Sequence, residues 1–231
     1  SYETYKETTN FIPASGKTYN GKLLIAEIPQ SLKSCGAGCG YLGATGIQIY
    51  DTYFLKLYND VKNRNQFDQV LFYELGRNFW NYNQMTPKLA FKENDPVVTG
   101  FAILMRFEVM QRNDIPMSDF WGAKTLSASE FRNGIKNLFD LYEKDNNLNF
   151  SNTFTANKRL GMFGTSDLWA SIMMHLNEMY GSEFLKKFFT HIPSLPNAST
   201  TEESVKNWEI AVSVASGVDF ESQFKSWKLV P

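Results

Sequence analysis

The chain has 231 residues, of which 43% are hydrophobic and 15% aromatic, and its formal net charge is −1. This length and composition favour one sizeable globular domain with a packed core over a disordered chain. The nearly balanced charge provides no basic field for nucleic acid, and no apolar run reaches the roughly 18 residues of a membrane span.

Residues 1–65 are predicted to be rich in strands. The apolar run from Lys22 to Ile28 has the length of a strand and ends at Pro29. Residues 47–50 alternate in the manner of a half-buried strand, and a helical spacing begins shortly after them.

Two cysteines, Cys35 and Cys39, lie in the glycine-rich sequence Cys-Gly-Ala-Gly-Cys. Glycine gives this loop the freedom to close a small disulfide, which we predict, and the alternative is a pair of free thiols in a flexible turn. A two-cysteine metal site is disfavoured because no third or fourth soft ligand lies nearby in the sequence.

From residue 66 onward the sequence predicts helices. Residues recur at three- and four-residue intervals from Val70 to Phe79, so that Glu74 shares a helix face with apolar neighbours. A second helix is predicted from Pro96, capped by Asp95, to about Gln111. Further helices are predicted at about 127–144, 167–189, 201–215 and 219–227, with breaks at Gly181 and Gly217.

The sequence contains no internal repeat and no linker that would separate two full domains. We therefore predict a single domain over residues 1–231, with a strand-rich part at 1–65 and a helical part at 66–231. Its predicted fold class is α+β, with a small N-terminal mixed sheet followed by a mostly helical C-terminal lobe.

Residues 71–80 read Leu-Phe-Tyr-Glu-Leu-Gly-Arg-Asn-Phe-Trp. This segment resembles the active-site helix of the gluzincin metallopeptidases, in particular their enhancin-like, mucin-degrading branch, which carries His-Glu-x-x-His. Residues 97–102 resemble the next helix of that family, and residues 168–189 and 211–227 resemble its terminal helices. The resemblance implies a zincin-like fold with an active-site helix around Glu74.

The positions that bind zinc in this family carry other residues here. Tyr73 and Arg77 replace the two histidines, Thr99 falls at the third ligand position, and only Glu74 matches, as the general base. A guanidinium has no lone pair for a metal, and zinc needs three protein ligands and an open position. The resemblance therefore implies the fold without zinc peptidase activity, and we predict neither a metal nor another cofactor.

Two interpretations of the polar residues on this helix remain open. Glu74 and Arg77 are three residues apart and can form an ion pair that braces the helix. Alternatively, both form a cluster with Tyr73 at the floor of a cleft, where the guanidinium holds an anionic or carbonyl group.

Aromatic residues that follow the key helix are candidates for ligand binding. Trp80 and Tyr82 have rings of the kind that stack on sugars or clamp peptides, and Thr99 is the third binding candidate. Packing in the protein core is the alternative explanation for the two rings.

Two sequence motifs favour a secreted, extracellular glycoprotein. Asn149 and Asn197 each begin an N-glycosylation sequon. The start at Ser1 fits a mature secreted product and a shortened chain equally well. These observations set the expected location but do not identify a ligand.

Three functional hypotheses follow from the degenerate motif. The first is a zincin-like pseudoenzyme that binds a glycan or a protein in the former substrate cleft. The alternative is a metal-independent hydrolase that uses Glu74 as general acid or base, with Tyr73 and Arg77 as electrophilic partners. A structural protein without a ligand is the third.

Overall fold

A computed structural model describes residues 1–32, 35–86, 96–121 and 125–231. The chain is α+β, with small sheets near the N-terminus and a helical C-terminal part, which confirms the predicted fold class. Among the described residues, no helix is both long and apolar enough to cross a membrane.

The α-helices within the described ranges are α1 (Tyr2–Thr9), α2 (Asp51–Arg64), α3 (Gln69–Asn78), α4 (Pro96–Arg112), α5 (Ala128–Lys136), α6 (Leu138–Lys144), α7 (Thr165–Tyr180), α8 (Phe184–His191), α9 (Thr201–Ser216) and α10 (Glu221–Ser226). The strands there are β1 (Thr18–Tyr19), β2 (Lys22–Leu23), β3 (Ile25–Ile28), β4 (Gly38–Gly40), β5 (Ile47–Tyr50), β6 (Phe120–Trp121) and β7 (Thr125–Leu126). Short 3-10 turns lie at Gln30–Leu32 and Ile192–Ser194, and a π-helical turn lies at Ser151–Thr155.

Strands β3, β5 and β4 form a mixed sheet in that order. Strand β3 runs parallel to β5, whereas β4 runs antiparallel to it, with Gly38 opposite Ile49. Ile47 and Ile49 are buried in one cluster with Leu57 of α2 and Val70 of α3, so the sheet shares a core with these two helices. The strands β1 and β2 form a separate antiparallel pair, as do β6 and β7.

The chain divides into two compact units. Unit 1 comprises Ser1–Lys6, Phe11–Asn81 and Met105–Arg132, and unit 2 comprises Glu7–Asn10, Tyr82–Leu104 and Asn133–Pro231. Unit 1 contains the mixed sheet with α2 and α3, and unit 2 contains the helices from α6 to α10. The single zincin-like domain over residues 1–231 stays a prediction.

Helix α1 is an element that the sequence analysis does not predict. Its Tyr5 is fully buried, stacks on Phe79 with 5.1 Å between ring centroids, and donates a hydrogen bond of 2.5 Å to the carbonyl oxygen of Phe72. These partners lie far along the chain, so local spacing contains no sign of them.

The predicted strand at residues 22–28 is divided into β2 and β3, which lie in different sheets. The division falls at Leu24, whose backbone N–H donates to the carbonyl of Lys17 and whose carbonyl accepts from the N–H of Ile47. One residue thus bonds to two different partners, and the chain changes sheets there.

The predicted helix at 127–144 is two helices, α5 and α6. The hydroxyl of Ser171, on α7, donates to the carbonyl of Lys136 at 2.7 Å and accepts from the N–H of Phe139 at 2.9 Å. A side chain from another helix therefore takes over the backbone groups released at the break.

The predicted ends of the other helices agree closely with the structure. Gly181 follows α7 and Gly217 follows α9 with φ angles of 84° and 75°, which favour glycine. Helix α4 is described from Pro96 onward, and its expected cap, Asp95, lies outside the described residues, so the predicted start of this helix stays a prediction. Met179, expected on the inner face of α7, is 53% exposed.

Candidate functional site

Helix α3 of unit 1 carries the motif residues and begins at a side-chain cap. The Asp68 carboxylate accepts a hydrogen bond from the backbone N–H of Val70 at 2.9 Å, which satisfies one of the free donors in the first turn. The helix ends at Asn78, so all three predicted catalytic residues, Tyr73, Glu74 and Arg77, lie within its last two turns.

Helix α3 approaches strand β4 so closely that the contact requires glycine. A Cβ atom on Gly40 would lie 2.1 Å from the backbone oxygen of Glu74 and 3.1 Å from the Cβ of Arg77. Gly38, two residues earlier, would place a Cβ 3.6 Å from the Cγ of Glu74. The glycine-rich strand therefore covers the side of the helix that carries Glu74.

Glu74 is buried, with 4% of its surface exposed, and its carboxylate has identified partners. Its Oε2 accepts a hydrogen bond from the backbone N–H of Gly40 at 2.7 Å and lies 3.7 Å from Nε of Arg77. These contacts correspond to the predicted ion pair that braces the helix. They also join the helix to the β4 backbone, which the spacing on the helix does not predict.

Tyr73 and Arg77 contact each other through a hydrogen bond and through the tyrosine ring. Nη2 of Arg77 donates to the Tyr73 hydroxyl at 2.9 Å, and the guanidinium carbon lies 5.2 Å from the centroid of the tyrosine ring. The guanidinium of Arg106 lies 5.6 Å from the same ring and donates to the Gln69 side chain. The Tyr73 ring thus lies within cation–π distance of two guanidinium groups.

Asn78 joins the end of α3 to the turn between β4 and β5. The side chain is fully buried, and its Nδ2 donates to the carbonyls of Tyr41 at 2.9 Å and Gly46 at 3.1 Å. Its Oδ1 accepts from the N–H of Gly46 at 3.2 Å. Asn78 and Glu74 together attach one helix face to both sides of the turn between β4 and β5.

The structure places the two predicted aromatic binding residues in the core. Trp80 of unit 1 is 3% exposed, and Tyr82 of unit 2 is 1% exposed. Tyr82 packs on Phe101 and Phe189, and its hydroxyl donates to the carbonyl of Thr9 at 3.2 Å. Burial raises the pKa of the Tyr82 phenol. This placement favours core packing over ligand stacking for both rings.

The remaining site candidates lie in different units. Thr99 is on α4 within unit 2 and is partly buried. In unit 1, Cys35 and Cys39 are joined by a disulfide with 5.7 Å between their Cα atoms. The Tyr50 hydroxyl accepts a hydrogen bond of 2.9 Å from the backbone N–H of Cys35, so a core side chain supports this loop. Within the described ranges, no group of three His, Cys, Asp or Glu side chains is positioned to hold a metal ion.

Comparison with known proteins adds no family to these observations. No protein-family model, curated protein or solved structure matches the chain. The relation to gluzincins therefore depends on the residues of the motif alone, and it stays a proposal.

Sequence reasoning missed two residues that shape this site. Gly40 and Asn78 determine how the hairpin meets α3, yet neither is among the predicted site residues. For Gly40 a signal exists, because glycines at positions 38 and 40 lie on one face of a strand and mark a close backbone approach. For Asn78 the partners are backbone groups more than 30 residues away, and the sequence contains no local sign of them.

Proposed function

We propose that this chain is a secreted, zincin-like binding protein without zinc catalysis, and that its ligand is a glycan or a protein. The observation that supports this most directly is the hydrogen bond between Arg77 and Tyr73. The resemblance assigns these two positions to zinc-binding histidines, and here they carry a pair of side chains that engage each other. A guanidinium and a phenol of this kind recognise anionic or carbonyl groups rather than zinc.

The geometry around Glu74 supports binding over hydrolysis. A general acid or base must come within hydrogen-bond reach of a substrate proton. The Glu74 carboxylate is instead buried and accepts from the Gly40 N–H beside Arg77. The metal-independent hydrolase is therefore the less well supported of the two hypotheses.

The proposed binding surface lies where α3 meets the turn after β4. Tyr73 and Arg77 are only partly buried, and this turn exposes Tyr41 and Leu42. The turn starts directly after Gly40, whose backbone lies against Arg77. Aromatic rings stack on the apolar faces of sugars, and a guanidinium binds a carboxylate through two hydrogen bonds. A glycan that carries a carboxylate fits this combination best.

Two observations support the extracellular location within this proposal. The disulfide between Cys35 and Cys39 is of the kind that persists in oxidising compartments. The sequon residues Asn149 and Asn197 are both exposed, as glycan attachment requires.

The metal content of the protein tests the proposal first. Elemental analysis of purified, unchelated protein is expected to give far less than one zinc ion per chain. Near-stoichiometric zinc would contradict the proposal, because Tyr73 and Arg77 cannot supply a zinc site. Hydrolytic activity that is abolished by Glu74→Gln would establish the alternative, whereas the proposal expects this variant to lose only stability, by about 1–3 kcal/mol.

Binding to an array of neutral and carboxylate-bearing glycans tests the surface. Arg77→Lys keeps the charge but removes the planar fork, so the affinity for a carboxylate-bearing glycan should fall about tenfold. Tyr58→Phe is the matched control, since Tyr58 is 55% exposed on α2 and is not part of the proposed surface. Equal affinity of both variants and the wild type would exclude Arg77 from the site.

A further inference from the structure

Unit 2 contains a cavity of about 270 Å³ whose described lining carries no charged side chain. Eight of its eleven described lining residues are apolar, four of them aromatic, and the other three carry hydroxyl groups: Met85, Pro96, Val97, Phe150, Phe154, Trp169, Val205 and Trp208, with Thr155, Thr201 and Ser204. An engineered protein cavity of about 150 Å³ with apolar walls binds benzene. The cavity is thus large enough for an aromatic ring with a short substituent.

The rings around this cavity are held in place by contacts with one another. Trp169 of α7 and Trp208 of α9 have ring centroids 5.9 Å apart, and Phe150 stacks on Phe154 at 5.2 Å. Nε1 of Trp208 donates to the sulfur of Met173 at 3.3 Å. The walls are therefore preformed, and one of the two indoles has its polar group satisfied.

The indole N–H of Trp169, in contrast, is not satisfied by a described residue. Trp169 is 1% exposed, and its Nε1 has no hydrogen-bond acceptor among the residues that the structure describes. A buried donor without an acceptor is rare in folded proteins because the group loses its bonds to water. A Cβ on Gly100 would lie 2.8 Å from Cε3 of Trp169, so the edge of the indole that carries Cε3 lies against α4. The N–H belongs to the edge that faces away from Gly100.

We propose that this cavity binds a small, flat, uncharged aromatic molecule whose carbonyl or similar acceptor takes the hydrogen bond of Trp169 Nε1. The aromatic walls select the ring by shape and by edge and face contacts. The absence of charged groups from the described lining disfavours ions, which would lose their hydration without a partner. This site is independent of the surface around Arg77, which belongs to unit 1.

Two probes of nearly equal shape separate the hydrogen bond from the apolar contact. Acetophenone carries a carbonyl oxygen where α-methylstyrene carries a methylene group. Isothermal titration of the wild-type chain is expected to show one site for each probe. Trp169→Phe keeps an aromatic wall but removes the N–H, so it should weaken acetophenone about fivefold and change α-methylstyrene by less than about twofold.

A control variant and a spectroscopic measurement on the wild-type protein accompany the titrations. Trp227→Phe removes a buried indole outside the cavity and should leave both affinities unchanged. In nitrogen-labelled wild-type protein, acetophenone should move one indole N–H resonance downfield and α-methylstyrene should not. This readout does not depend on the folding of any variant. Failure of both probes to bind the wild type, or an equal loss of both in Trp169→Phe, would overturn the proposal.

Discussion

Gly40, Glu74 and Asn78 together hold helix α3 against the hairpin of β4 and β5. Two of these contacts use side chains that bond to backbone groups, and the third uses the lack of a side chain. Glu74 has the chemistry of a general base, but its surroundings give it the role of a buried hydrogen-bond acceptor. At the scale of single residues, the partner of a side chain decides its role, and the partners here come from distant parts of the chain.

Replacement of Gly40 by alanine is expected to destabilise unit 1 strongly. The new Cβ would lie 2.1 Å from the Glu74 backbone oxygen, so β4 and α3 must separate and the Gly40 bond to Glu74 must lengthen. We expect a loss of about 3 kcal/mol in the free energy of unfolding, measured by urea denaturation.

Gly36→Ala is the matched control for this prediction. Gly36 is exposed in the same glycine-rich loop, and a Cβ there meets no atom within 4 Å. Its replacement should change the free energy of unfolding by less than about 0.5 kcal/mol. Equal stability of the two variants would show that α3 and β4 are not in close contact.

Helices α2 and α3 are connected by a group of charged side chains in unit 1. Lys56 of α2 donates to Asp60 at 2.8 Å and to Asp68, the cap of α3, at 2.6 Å, and Arg64 also pairs with Asp60. Burial favours the neutral acid at Asp60, but the hydrogen bonds from Lys56 and Arg64 outweigh it and hold the pKa of Asp60 below its ordinary value. Lys56 thus forms ion pairs both within α2 and with the residue that caps α3.

The pKa of Asp60 predicts a loss of stability in acid. Because this pKa is lower in the folded chain than in the unfolded chain, where it is about 3.9, the unfolded state binds the proton first as the pH falls. The stabilisation is therefore complete above about pH 5 and is lost as the pH falls through the folded value.

Asp60→Asn removes this titration and should flatten the acid limb of the stability profile, measured by urea unfolding between pH 3 and pH 7. The variant should also be less stable than the wild type at pH 7, because Lys56 and Arg64 lose a charged partner. Asp140→Asn changes an exposed carboxylate on α6 and serves as the control, with a profile that follows the wild type. An unchanged acid limb in Asp60→Asn would assign the loss to other groups.

The sequence predicts those helices and strands whose ends are determined by neighbouring residues in the chain. The helix breaks at Gly181 and Gly217 depend on the residue at the break, so the sequence predicts them. Helix α1 and the break between α5 and α6 depend on Tyr5 and Ser171, whose partners are distant in the chain. The ion pair of Glu74 and Arg77 is predictable because the two residues are three positions apart on one helix. The position of β4 against α3 is not, because these elements are distant in the chain.

At the scale of the whole molecule, the two units carry different kinds of feature. Unit 1 contains the mixed sheet, the disulfide and the degenerate motif, and unit 2 contains the aromatic cavity. The composition predicts a packed core, but it does not predict the cavity, because the sequence contains the rings and not the space between them.

Replacement of Cys35 and Cys39 together by serine is expected to lower the free energy of unfolding by about 2 kcal/mol, the chain-entropy value for a loop this short. Urea denaturation measures the loss, and reduction of the wild-type disulfide should reproduce it. Acetophenone affinity should stay within about twofold of wild type, because every described lining residue of the cavity belongs to unit 2. Loss of that affinity would show that the disulfide supports both units.

The clash expected at Gly40 is with the main chain of Glu74, not with its side chain. No second substitution at position 74 can therefore rescue alanine at position 40. A library of variants selected only for cellular abundance should tolerate almost nothing at Gly40 and little at Asn78, while Tyr73 and Arg77 vary more freely. Such a pattern would look like the footprint of an active site, although it arises from the shape of a strand and a helix in contact.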